Sequence, residues 1–260
     1  MTELLFDEEA TKRLLAAYVT PDVEAQREQF VLTLDPRAGE RVLDVGSGPG
    51  FLAGAIAHAV GSGGRVSGVD ISEPLLAVAR SHCAQLPWVE FRHADATRLP
   101  FDDHAFDAAV SIQVLEYVRD VDAALSEIHR VLRPGGRVVI VDTDWDSIVW
   151  RCADRERMKR ILAAWEPHAA DSYLPRTMAG RLHQAGFRVE SQRVIPLFNP
   201  VFDPNSYSNR IMDLMVSFVA GRDGITRDEA EAWAADLRES GARGEYFFSL
   251  NRYLFLAFRG

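Results

Sequence analysis

From residue 41 onward, short β-rich runs alternate with stretches of helical spacing, and this alternation limits the possible folds more than any other feature. Because parallel strands need crossover connections, the pattern predicts a parallel sheet with helices on both faces. The predicted strands are Arg41 to Val45, Arg65 to Val69, Trp88 to His93, Phe106 to Ile112 and Arg137 to Val141.

The predicted helices between these strands are Phe51 to Val60, Pro74 to Ala84 and Val121 to Leu132. Ser72 favours a helix start because serine caps free amide groups, and proline at Pro74 suits the first turn. The segment Pro134-Gly135-Gly136 predicts a sharp stop before the fifth strand.

Further elements lie on both sides of this alternating segment. Two amphipathic helices are predicted before it, and a helix, a sixth strand and a last strand after it: Glu8 to Tyr18, Asp22 to Leu34, Pro175 to Ala185, Phe187 to Leu197 and Glu245 to Phe258. The chain is therefore predicted to form a single α/β domain, with a Rossmann-like, mostly parallel sheet of seven strands and an antiparallel last strand.

Composition argues against several classes of partner. The 260 residues carry a formal charge of -9, so a polyanion would be repelled and we expect no nucleic-acid partner. Two cysteines, Cys83 and Cys152, are too few for a disulfide framework or a thiolate metal site. The start MTELLFDEEA lacks a signal-peptide pattern, and no apolar run approaches the roughly 20 residues that span a bilayer. We expect a cytoplasmic protein without stable membrane insertion, and the sequence leaves its oligomeric state open.

A glycine-rich loop, Asp44-Val45-Gly46-Ser47-Gly48-Pro49-Gly50, joins the first predicted strand to its helix. Its glycines permit positive φ and let a ligand approach the backbone, while the helix start presents free amide groups. Dinucleotide folds favour the spacing G-x-G-x-x-G, whereas Gly46, Gly48 and Gly50 stand at alternate positions. An NAD site is therefore the weaker interpretation, and a plain tight turn is the alternative without a ligand.

Acidic residues follow the next two strands. Asp70 ends the second, where a carboxylate can accept hydrogen bonds from ribose hydroxyls, although it could instead cap the following helix. Asp95-Ala96 after the third offers a carboxylate beside a backbone amide, which could recognise adenine, although aspartate is also common in turns. Ligands of open parallel sheets bind where these strand ends meet.

These segments resemble the class I S-adenosylmethionine-dependent methyltransferases, and among them the group that includes the ubiquinone and menaquinone biosynthesis enzymes. The resemblance covers about residues 40 to 142, through the segments VLDVGSGPG, VSGVD, HADATRLPF, FDAAVSIQVLEYV and RVLRPGGRVVIVD. It implies S-adenosylmethionine as cofactor, bound by Gly46, Gly48, Asp70, Asp95 and Ala96. The neighbouring Asp44, Ser47, Ile71, Ser111 and Gln113 are further candidates for the same site, as is Tyr18 near the N-terminus.

The order of elements and the lengths of the connections also suggest how the domain is divided. Residues 1–38 are predicted to form a helical lid and residues 40–142 the cofactor-binding core. Residues 144–174 and 199–243 are insertions predicted to cap the substrate, because loops that long in a compact domain usually serve binding. Aromatic and methionine side chains in the second insertion could line an apolar pocket, although such residues at helical spacing more often form a core.

The reaction is predicted to be methyl transfer to oxygen or carbon of a small, largely apolar or aromatic metabolite. A sulfonium methyl is already activated, so transfer mainly requires a well-placed nucleophile, and a base is optional. His168 is the candidate base, with Asp144 or Asp171 as its orienting partner, although a histidine after a proline is often a surface or capping residue. The alternatives are a protein that binds S-adenosylmethionine without transfer and an NAD-dependent oxidoreductase.

Overall fold

The computed structural model describes residues 15–260. Most of the helix predicted from Glu8 to Tyr18 therefore lies outside the described residues, and residues 15–18 are helical. No helix within residues 15–260 combines the length and the apolar character needed to cross a bilayer.

Seven strands form one sheet in the order β3-β2-β1-β4-β5-β7-β6. Strands β1 to β5 pair in parallel, and the last strands are antiparallel, as predicted. The strands are β1 (Arg41–Val45), β2 (Arg65–Asp70), β3 (Val89–His93), β4 (Phe106–Ile112), β5 (Leu132–Trp150), β6 (Phe187–Asn199) and β7 (Phe248–Arg259).

The helices of residues 21–260 include the three predicted between β1 and β2, between β2 and β3, and between β4 and β5. Several begin at a side chain that caps a free amide, such as Ser72, Asp120 and Thr226. They are α1 (Pro21–Leu34), α2 (Phe51–Val60), α3 (Glu73–His82), α4 (Val121–Val131), α5 (Arg155–Trp165), α6 (Pro175–Gln184), α7 (Tyr207–Val219) and α8 (Arg227–Ala242).

Strand β1 lies between β2 and β4, so the strand order reverses beside it. Leu43 pairs with Ser67 of β2 on one side and with Ala109 of β4 on the other. All but the first residue of β1 are buried, as expected for a parallel strand that is covered on both faces. In open α/β sheets the crevice at such a reversal is the usual ligand site.

The fifth strand is the element that the sequence predicted least well. It begins at Leu132 instead of Arg137 and continues to Trp150, so the Pro134-Gly135-Gly136 segment lies inside it. Pairing with β4 explains the early start, because Leu132 pairs with Phe106 before a register irregularity. The extension also places the first residues of the predicted insertion 144–174 in a strand.

The chain divides into two compact units. Unit 1 comprises the described residues up to Gln26, Asp144–Ser172 and Ile195–Arg252. Unit 2 comprises Arg27–Thr143, Tyr173–Val194 and Tyr253–Gly260. The roles predicted for residues 1–38, 40–142, 144–174 and 199–243 as lid, core and caps stay predictions.

Each unit has its own apolar core. In unit 2 the strand residues Leu43, Val45 and Ile140 pack with Leu125 and Ile128 of α4. In unit 1 the core is more aromatic, and it includes Trp145, Trp150, Trp165, Trp233 and Phe248.

Candidate functional site

The three glycines of the loop after β1 have different surroundings. Gly46, Gly48 and Gly50 all have positive φ, at 71°, 49° and 78°. A Cβ on Gly46 would lie 2.2 Å from a methyl group of Val114, and one on Gly50 would lie 2.9 Å from Ala79. A Cβ on Gly48 would meet nothing within 4 Å. Packing therefore excludes side chains at the first and third positions, whereas the middle glycine borders open space.

Asp70, at the end of β2, connects this loop to the next helix. Its Oδ2 accepts a hydrogen bond from the Gly48 amide at 2.8 Å, and its Oδ1 accepts one from the Ser72 amide at 2.8 Å. Ser72 caps α3 by accepting from the Leu75 amide at 3.5 Å. Burial raises the pKa of Asp70, although the hydrogen bonds from Ser72 and Gly48 act in the opposite direction. The carboxylate is thus held beside the open position in the loop.

Asp44 lies within β1 and is 2% exposed. Burial, followed by the negative charge of Asp70, raises the pKa of Asp44 to about 7. Its Oδ2 is buried and has no hydrogen-bond partner among residues 15–260, and the same is true of the Ser47 and Ser111 hydroxyl groups. Buried polar atoms normally have partners, so each of these three is a candidate contact for a polar or cationic ligand.

The residues after β3 form an exposed turn. The Asp95 carboxylate accepts hydrogen bonds at 2.8 Å from the amide and the hydroxyl of Thr97, while Ala96 is buried. Ile71 is 64% exposed, and its carbonyl lies 2.9 Å from a ring nitrogen of His93. The turn interpretation of Asp95 is therefore compatible with the structure, and its adenine contact stays a prediction.

The segment after β4 contacts the middle of β5. Gln113 has a positive φ of 57°, which is unusual for a residue with a side chain. Its amide donates to the Val141 carbonyl at 2.7 Å, and its side-chain oxygen accepts from the Thr143 hydroxyl at 2.5 Å. These bonds hold the chain so that Val114 packs over Gly46.

Two buried acids support this segment, and Glu116 was not among the residues singled out from the sequence. Asp142 Oδ1 accepts from the amides of Val114 at 3.2 Å and Glu116 at 3.3 Å. Glu116 Oε2 accepts from the Thr143 amide at 2.8 Å. Burial and the neighbouring Glu116 charge raise the pKa of Asp142 well above its usual value. No pattern in the sequence around Glu116 indicated that its side chain would support this segment.

The predicted catalytic residues belong to unit 1. His168 is 2% exposed, its ring stacks on Trp165 with centroids 3.9 Å apart, and Trp145 approaches edge-on at 4.5 Å. Its Nδ1 lies 2.8 Å from the Trp165 carbonyl. Since a carbonyl only accepts, Nδ1 carries the proton and Nε2 keeps the lone pair. Burial lowers the pKa of His168 to about 4.

Asp144 and Tyr18 also lie in unit 1. Asp144 is 6% exposed, and its Oδ1 accepts from the Asp146 amide at 3.2 Å. Tyr18 is half-buried. The other predicted cofactor residues all lie in unit 2, where the structure brings Gly48 to Asp70 and Gly46 to the residue after Gln113.

Comparison with known families matches residues 43–140 to a methyltransferase domain. The matched segment contains most of the unit 2 residues described above, from Asp44 to Gln113.

Curated relatives include proteins of several kinds. A demethylmenaquinone methyltransferase of Staphylococcus epidermidis is 41% identical over 122 residues, 47% of this chain and 51% of the relative. An O-methyltransferase of Penicillium expansum is 38% identical over 161 residues, 60% of this chain and 55% of the relative. An uncharacterized protein in transposon Tn4556 of Streptomyces fradiae is 37% identical over 186 residues, 70% of this chain and 52% of the relative. The chain thus spans about half the length of these relatives.

Solved structures share the fold over most of the chain. A candidate methyltransferase of Bacillus halodurans superposes with a TM-score of 0.66 at 19% identity, covering 90% of this chain and 99% of that one. The sheet order, the glycine loop at the reversal beside β1 and the matched domain agree with one another. Residues 43–140 therefore form a methyltransferase domain, and the chain has the Rossmann-like fold of the class I S-adenosylmethionine-dependent methyltransferases.

Proposed function

We propose that this chain transfers a methyl group from S-adenosylmethionine to oxygen or carbon of a small, largely apolar or aromatic acceptor. The observation that carries the proposal is the open space beside Gly48. The Gly48 amide donates a hydrogen bond to the Asp70 carboxylate at 2.8 Å. The positive φ of Gly48 would favour glycine in any tight turn, so the argument rests on the open space beside it, which a cofactor can fill.

The residues of unit 2 fit the proposed cofactor. Asp70 offers carboxylate oxygens beside the loop, and the Ser47 and Ser111 hydroxyl groups are buried donors and acceptors. Asp44 is a buried carboxylate that a positive charge would stabilise in its ionised form. Bound S-adenosylmethionine supplies an activated methyl group on a positively charged sulfur. We assign Asp44, Gly46, Ser47, Gly48, Asp70, Ile71, Asp95, Ala96, Ser111 and Gln113, together with Tyr18, to its binding.

The acceptor side of the proposal rests on unit 1 and on the relatives. Phe198 and Phe247 are exposed, with ring centroids 5.4 Å apart, so they are available to an apolar ligand. The aromatic residues of the second insertion, 199–243, pack into or against the unit 1 core. Two of the relatives are named for a demethylmenaquinone and for O-methylation, which agrees with an apolar acceptor methylated at carbon or oxygen.

His168 with Asp144 stays our proposal for the base and its partner. The histidine has the tautomer that a base needs, with the lone pair on Nε2. Its low pKa keeps the ring neutral at physiological pH but also makes it a weak base. Because the transferred methyl group is already activated, such a base would matter only for an acceptor that must lose a proton.

Titration calorimetry with S-adenosylmethionine and with NAD tests the cofactor assignment. We expect saturable binding of S-adenosylmethionine only, weakened about 5- to 150-fold by Asp70→Ala, because that change leaves hydrogen-bonding groups without partners. Asp102→Ala is the control, since Asp102 is an exposed acid of the same unit. Melting temperatures check that each variant folds. NAD binding without S-adenosylmethionine binding would refute the proposal.

A further inference from the structure

Arg252 lies at a position of β7 where the alternating burial pattern predicts an apolar residue. Buried and half-buried positions alternate from Phe248 through Arg252 in β7, and Leu250 occupies the preceding inward position. Arg252 is 4% exposed. A buried arginine is costly unless its charge is compensated, so its surroundings should contain an anion.

The surroundings of Arg252 orient the guanidinium without neutralising it. Its Nη1 donates to Gln26 Oε1 at 2.6 Å, and its Cζ lies 5.0 Å from the centroid of the Tyr207 ring. Gln26 is fixed in turn, because its Nε2 donates to the carbonyls of Pro196 at 3.2 Å and Ile195 at 3.4 Å. A neutral amide and an aromatic face thus hold the side chain in one orientation.

The other edge of the guanidinium has no protein partner in the part of the chain that the structure describes. Neither Nε nor Nη2 of Arg252 has a hydrogen-bond partner among residues 15–260, and no carboxylate of these residues lies within 4.0 Å of it. Asp22 is in the same unit, but its carboxylate accepts from the Tyr207 amide and from Asn199. By contrast, Arg137, which is similarly enclosed, is neutralised by Glu40 at 2.7 Å.

We propose that Arg252 binds the carboxylate of a small aromatic or apolar acid through its Nε and Nη2 groups. This edge presents two parallel N–H donors, which match the two oxygens of a planar carboxylate. The rings of Tyr207, Phe248 and Trp150 belong to the same buried cluster and would give the apolar part of such a molecule apolar surroundings. A phosphate would bring a second negative charge that one arginine does not balance. Identifying this acid with the methyl acceptor rests on the proposed function.

Ligand-observed NMR with benzoate, benzamide and inorganic phosphate tests the site directly. Benzamide has the shape of benzoate without its charge. We expect wild-type protein to bind benzoate about tenfold more tightly than benzamide, and to show no comparable binding of phosphate, because charge-assisted hydrogen bonds are the stronger ones. Arg252→Met should abolish this preference for benzoate. Arg252→Lys should reduce it, since lysine keeps the positive charge but lacks the two parallel N–H donors of the guanidinium.

Arg222→Met is the matched control, because Arg222 also stacks on an aromatic ring, Phe218, but is exposed. It should leave the preference for benzoate unchanged. The melting temperature of Arg252→Met should not fall, because the variant removes an uncompensated buried charge. Calorimetry with S-adenosylmethionine on the same samples tests the proposed function separately from this one. Equal behaviour of benzoate and benzamide with wild-type protein, or an unchanged preference in Arg252→Met, would overturn the assignment of this site.

Discussion

Gly46 and Gly48 are two residues apart, yet the structure assigns them different roles. Both have positive φ, so alanine at either position costs about 1–2 kcal/mol of stability. Gly46→Ala also forces an overlap with Val114, for which we expect a further cost of about 1–3 kcal/mol. Gly48→Ala meets no protein atom within 4 Å, so its main effect should be weaker binding of S-adenosylmethionine.

Urea unfolding and titration calorimetry on both variants check this prediction. Gly46→Ala should show the greater loss in the free energy of unfolding, and Gly48→Ala the greater loss of affinity relative to its loss of stability. Binding of S-adenosylmethionine by Gly48→Ala with wild-type affinity would show that the open position does not face the cofactor.

His168 makes the stability of the protein depend on pH. Its pKa is about 4 in the folded chain and 6.5 ordinarily, so between these values the unfolded chain binds a proton that the folded chain does not. The free energy of unfolding should therefore fall as pH falls from 6.5 to 4, by up to about 1.4 kcal/mol per pH unit from this group. Asp44 acts in the opposite direction, because its raised pKa removes stability as pH rises from 3.8 to about 7.

Comparing wild-type protein with His168→Gln isolates the histidine contribution. Urea unfolding of the variant should lack this part of the pH dependence, and identical pH profiles would contradict the burial of a neutral ring. The same variant tests the proposed base once an acceptor is known. Turnover that stays intact across roughly pH 6 to 9 would remove His168 from the mechanism.

At the scale of the elements, local sequence signals predicted the first and last residues of some helices and strands and missed those of others. Strands β1 and β4 and helix α2 begin and end where predicted, and neighbouring glycines mark the end of β1 and both ends of α2. Helix α5 was not predicted, although Asp154 caps it by accepting from the Arg157 amide. A capping aspartate before an amphipathic run is a local signal, so this helix could have been found.

Other features of the elements could not be predicted because they depend on distant partners. The early start of β5 follows from pairing with β4, and the burial of His168 follows from Trp145 and Trp165. The positions of Asp70 and the glycine loop were predictable, because strand ends in parallel sheets meet at one edge. The enclosure of Arg252 was not, since its partners Gln26 and Tyr207 are far away in the sequence.

The N-caps of the helices allow a prediction about stability at the scale of the elements. Asp120 is exposed, and its side chain accepts from the Ala123 amide at 2.9 Å at the start of α4. Asp120→Ala should lower the free energy of unfolding by about 1 kcal/mol, the usual cost of losing an N-cap. Asp102→Ala removes the same charge from an exposed position with no capping role. Urea unfolding that gave equal values for the two variants would contradict a capping contribution.

At the scale of the whole molecule, the formal charge of -9 bears on its partners. A polyanion would be repelled, so we expect no binding of DNA or RNA near physiological salt. Fluorescence anisotropy with labelled single-stranded and double-stranded oligonucleotides checks this expectation. Binding that weakens steeply as salt rises would reveal a segregated basic surface and would contradict a small-molecule acceptor.

The division of the chain into two units has a consequence for recombination. Three of the boundaries between the units fall inside β5, β6 and β7, after Thr143, Val194 and Arg252. Neither unit is therefore encoded by one contiguous stretch of the gene, so a single crossover cannot exchange an entire unit. Under the proposal that unit 1 binds the acceptor, exchanging this unit while keeping the methyl donor would require three separate segments to be replaced together: the one that ends at Gln26, 144–172 and 195–252. Chimeras with related methyltransferases should accordingly be designed as joint exchanges whose junctions preserve the strand register.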